Sequence, residues 1–136
     1  MNLLLPCFIS FIISIYLYYK SYINIDKYLL YFMFIGECIL IFGSIYKNNT
    51  IIEIAHIIFC ILVFICSILF KCKINIYFIL LINIIIIITR LYYVKCLFLM
   101  DNNNTQPFGT LPINYNYIVY LQIINIILRL LKINST

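Results

Sequence analysis

Glu37, Glu53 and His56 lie inside otherwise apolar runs of this chain, and Arg90 closes another. Histidine titrates near neutrality, and a carboxylate in hydrocarbon costs at least about 2.5–3.5 kcal/mol unless it is protonated or partnered. Such groups are expected to carry protons, bind cations or hydrogen-bond across helices. Glu53, His56 and Cys60 fall at i, i+3 and i+7, which places them on one helical face. Asn83 and Arg90, seven apart, share a face of the following run. Antiparallel runs bring Arg90 back to the end that holds Glu53. The simplest arrangement is a Glu53–Arg90 ion pair with His56 beside it, within a polar network of Glu37, Glu53, His56, Asn83 and Arg90.

This set admits three kinds of chemistry. A polar network can hold helices in register, a structural role. A proton or cation can move along Glu37, His56 and Glu53. A metal or haem can use His56, the only histidine in the chain, since Glu-x-x-His has the spacing of carboxylate–histidine ligands on bundle helices. One such motif, rather than two, makes a poor metal centre, so no metal and no cofactor is expected. The chain has no phosphate-binding glycine loop, no Ser–His–acid set and no nucleic-acid motif. The expectation is a non-enzymatic protein with no nucleic-acid partner.

The elements that must position these residues are long and apolar. The 136 residues are 66% hydrophobic and 10% charged, with a mean hydropathy of +1.13. A water-soluble domain carries far more charge. Unbroken rather than alternating apolar runs exclude a transmembrane barrel, because only helices then satisfy the backbone in lipid. The expected fold is an all-α integral membrane bundle of four to five transmembrane helices in one domain. The spans are expected near residues 3–19, 28–46, 51–70 and 74–94, with 113–131 a fifth span or an interfacial helix. Residues 101–116, with Pro107, Gly109 and Pro112, read as the one long loop. The first run lacks a basic leader and a small-residue cleavage site, so it is expected to stay in the mature protein.

Small residues mark the expected helix contacts. Cys7, Ser10 and Ser14 form a stripe on the first run, and Gly36 and Gly43 share a face of the second. Where no hydrophobic force drives helices together, small residues let backbones approach, so these two stripes are expected to meet. Gln122, Asn125 and Arg129 form a further stripe on the last run, facing either the bundle or a partner.

The nine Lys and Arg residues cluster at run ends as anchors and topology signals. With five spans, Lys20, Lys27, Lys71, Lys73, Arg129 and Lys132 share one side, against Lys47, Arg90 and Lys95 on the other. The positive-inside rule then puts the first side in the cytoplasm and the N-terminus outside. The sequons at Asn48 and Asn103 would both face outward as possible glycosylation sites. With thirteen Tyr and no Trp, tyrosine must form the interfacial belts.

Of the six cysteines, Cys72 and Cys96 sit at run boundaries, where a thiol can be free or acylated. Isoleucine supplies 34 residues and Ala only one, a skew that follows AT-rich codons such as those of a large DNA virus, an organelle or a protist. The leading expectation is a membrane protein acting by helix–helix association, as a viral envelope protein or an accessory subunit. Its partners would be the lipid bilayer and other membrane proteins or itself. The alternative is a small proton or cation transporter or channel, and a haem- or metal-holding anchor comes third.

Overall fold

The computed structural model describes residues 4–93 and 115–135, and every regular element among them is a helix. The order is α1 (Leu4–Lys20), α2 (Asn24–Ile45), α3 (Asn49–Leu69), α4 (Lys73–Tyr93) and α5 (Tyr115–Ser135). Helices α2 to α5 are long and apolar enough to cross a membrane. At about 1.5 Å per residue each covers the ~30 Å hydrocarbon core. The protein is accordingly a membrane protein. Residues 101–114 of the expected loop, together with Lys95, Cys96 and the sequon at Asn103, lie outside the described residues.

The last helix departs from its expected boundaries. It begins at Tyr115 and runs to Ser135, four residues past Leu131, and it packs lengthwise on α4 and along α3. Arg90 Nε donates to Asn116 Oδ1 at 2.7 Å at one end, and Arg129 donates to the Ser67 and Phe70 carbonyls at the other. These contacts make α5 a member of the helical bundle. The shortest element is instead α1, whose 17 described residues reach about 25 Å.

Short links make α1 to α4 successively antiparallel. The α2–α3 turn is a Schellman motif. Lys47, at φ 50°, is the left-handed residue after the Tyr46 cap. Asn48 N–H donates to Gly43 O at 3.0 Å and Lys47 N–H to Ser44 O at 3.3 Å. Asn48 then caps α3, its Oδ1 accepting from Ile51 N at 3.1 Å. The asparagine of the first sequon is thus an exposed cap at a tight turn.

Small and polar residues line the α1 seam, while large apolar residues fill the core between the other helices and also cover the outer surface. Along α1 and the residue after it the buried positions are Cys7, Ser10, Ser14, Leu17 and Ser21, a strict three–four spacing. That is the seam of two closely packed helices. Beside it Phe11 stacks on Phe34 of α2, ring centroids 4.7 Å apart. The core between α2, α3 and α4 holds Leu30, Met33, Leu40, Phe59, Val63, Ile76 and Ile79.

Candidate functional site

Glu37 is wholly buried and belongs to the α1–α2 seam. Ser10 donates to its Oε1, and Ser14 donates to the same oxygen at 3.1 Å. The small stripe of α1 therefore meets the carboxyl of Glu37, not Gly36 and Gly43 as its spacing suggested. Both glycines face α3. A Cβ on Gly36 would rest 3.8 Å from the Leu62 side chain. One on Gly43 would lie 2.9 Å from Ile51 Cγ2 and 3.3 Å from the backbone N of Ile52. The physical reason is rotation: Gly36 and Glu37 are adjacent, so they point about 100° apart and cannot serve the same neighbour.

The expected five-residue network divides into separate groups. His56 is buried and touches Cys60, its Nε2 3.6 Å from the Sγ one turn on. Glu53 shares the helix face but is only half-buried. Arg90 reaches the end that holds Glu53, as the antiparallel argument requires, but its Nε is turned to Asn116 on α5. The expected Glu53–Arg90 ion pair gives way to this bond, which ties the end of α4 to the start of α5. Among the described residues no hydrogen bond or ion pair joins Glu37, Glu53 and His56. No three of His, Cys, Asp and Glu come close enough there to share a metal ion.

Asn83 works around Ser67. Its Nδ2 donates to Ser67 Oγ at 3.2 Å and to Ile79 O at 2.8 Å, while Ser67 Oγ donates to Val63 O at 2.7 Å. Arg129 Nη1 donates to the Ser67 carbonyl at 2.7 Å. Three helices, α3, α4 and α5, meet at this one serine.

The most heavily bonded acid is one that the apolar runs do not single out. Asp26, in the first turn of α2, is fully buried. Its carboxylate accepts from Lys71 N at 3.0 Å, Cys72 N at 2.8 Å and Asn75 Nδ2 at 2.8 Å. Asn75 Nδ2 also donates to Ser21 Oγ at 2.7 Å. The cause is local. Helix α3 ends at the extended Phe70, so the next amides have no helical acceptor, and buried N–H groups need one. The signal in the sequence was an acid within a few residues of an apolar run's start, opposite a link with few acceptors of its own. The same knot buries Cys72, which takes its thiol out of reach of acylation.

Several buried polar atoms have no partner among the described residues. They are Glu37 Oε2, Ser44 Oγ, Asn75 Oδ1, Asn83 Oδ1 and both side-chain amide atoms of Gln122. The expected α5 stripe is split: Gln122 is buried, Arg129 half-buried and Asn125 exposed. Comparison with protein families, with curated proteins and with solved structures finds no match to this chain.

Proposed function

We propose that this is a non-enzymatic multi-pass integral membrane protein that acts by helix–helix association, and that α5 presents the associating face. The observation that carries this reading is Asn125. It lies ten residues from either end of α5 and is exposed among Leu121, Ile124 and Leu128, which are exposed too. An amide facing hydrocarbon at mid-span is unsatisfied until another helix supplies a donor and an acceptor. Asparagine is both, so the same residue of a second copy completes it.

Energy transfer between labelled full-length chains in liposomes tests the reading. Interhelical amide bonds contribute about 0.6–2 kcal/mol in membranes, so Asn125→Leu should weaken self-association about 3- to 30-fold. Association that Asn125→Leu leaves unchanged would defeat it. The lysine-rich ends support an orientation with Lys20, Lys27, Lys71 and Lys73 in the cytoplasm. The AT-rich composition fits an envelope protein of a large DNA virus or an accessory subunit in a cellular membrane.

A second reading is movement of protons or cations through Glu37. It is favoured by the buried Oε2, which has no partner among the described residues. Proton flux into proteoliposomes that Glu37→Gln abolishes, with the fold intact, would establish it. Equal tightness of both proteins to protons would remove it.

A further inference from the structure

Two cavities are lined by α1 and α2 alone, and they share Tyr18 and Tyr31. The outer one, about 580 Å³, is lined by Asn24, Lys27, Tyr28 and Phe32 besides the shared pair. The inner one, about 280 Å³, continues past Leu30 and Phe34 to Ser14 and Ile15 of α1. Together they form a groove between the two helices, polar at its mouth and apolar beyond.

Its length is that of one leaflet. Phe34 is ten residues along α2 from Asn24, about 15 Å, and the hydrocarbon core is about 30 Å thick. Its mouth lies at the lysine-rich end, where a headgroup would sit. The donors there are unused: neither Lys27 Nζ, the Asn24 amide nor the hydroxyls of Tyr18, Tyr28 and Tyr31 makes a hydrogen bond or ion pair among the described residues. The nearby acid does not compete, because Asp26 turns its carboxylate to Lys71, Cys72 and Asn75.

We propose that this groove holds an anionic phospholipid, its phosphate at Lys27 and Asn24 and one acyl chain running past Tyr18 and Tyr31 to Phe34. The charge selects the headgroup. A lone ammonium with neutral hydroxyl and amide donors complements a phosphodiester with net negative charge better than a zwitterion carrying its own cation. The apolar depth selects a lipid over a free phosphate.

Native mass spectrometry of the full-length protein, taken from detergent with equimolar phosphatidylglycerol and phosphatidylcholine, tests this. One phosphatidylglycerol should be retained in preference to phosphatidylcholine. Lys27→Gln should reduce that preference at least five-fold, Lys27→Arg should keep it, and Lys47→Gln at the opposite end should leave it intact. Lys27 is only partly buried and unpaired, so circular dichroism should show each variant folded. Equal retention of both lipids, an unchanged preference in Lys27→Gln, or displacement of the lipid by glycerol phosphate at matched concentration would overturn the proposal.

Discussion

The two ends of α2 are fastened by different means. At its start Asp26 supplies acceptors to two backbone amides and a side-chain amide of the α3–α4 region, so one carboxylate ties α2 to the start of α4. At its finish Gly43 brings the backbone against Ile51 and Ile52, and a Schellman turn closes the chain onto α3. The first fastening joins elements far apart in sequence and rests on hydrogen bonds. The second joins neighbours and rests on fit. In lipid, where apolar burial between helices contributes little, both are natural devices. Their losses should differ in size and in kind.

Asp26→Ala should have the largest effect. It strips acceptors from two buried donors and one part-buried donor, a buried one being worth about 1–3 kcal/mol when left unsatisfied, so the loss should be about 3 kcal/mol. Denaturation in bicelles followed by circular dichroism would measure it. Asp26→Asn, which keeps one acceptor oxygen, should lose roughly half as much. A loss below about 1 kcal/mol for Asp26→Ala would mean that water replaces the carboxylate and that this end is not fastened as described.

Gly43→Ala should cost about 1–3 kcal/mol in the same assay, because the new methyl meets the Ile52 backbone as well as side chains. Lys47→Gly should stabilise by about 1 kcal/mol, since glycine enters the left-handed region without the side-chain penalty. Gly36→Ala should be the mildest, a gain of about 0.5 kcal/mol from helix propensity with only ordinary contact to Leu62. If Gly36→Ala and Gly43→Ala cost the same, close approach is not what holds the second end.

Much of the fold was legible because each device that sets it is local. Run lengths fix the helices, the short Lys47–Thr50 link forces a hairpin, and the spacing of Cys7, Ser10 and Ser14 marks a buried seam. The candidate site was legible in its parts and not in its assembly. Glu37 stands out as a costly acid in an apolar run, but the small stripe of α1 that bonds it is expected from spacing to meet Gly36 and Gly43, which face α3. The stripe of Glu53, His56 and Cys60 survives as a helix face, yet Arg90 turns to Asn116. Asp26 does not stand out in the sequence because a charge near a run's end ordinarily sits in water, and its burial depends on a link 45 residues away.

Apolarity, helix periodicity and the positions of the breaks were determined by the sequence alone, since they follow from backbone satisfaction in lipid and from residue spacing along one chain. Which face of α2 meets which neighbour, whether α5 joins the bundle, and what Asp26 and Arg129 bond were decided only by the tertiary structure. Those outcomes depend on helix rotation. A 100° step between adjacent residues hands Gly36 to one neighbour and Glu37 to another, and no spacing within a single helix reveals where the neighbours stand.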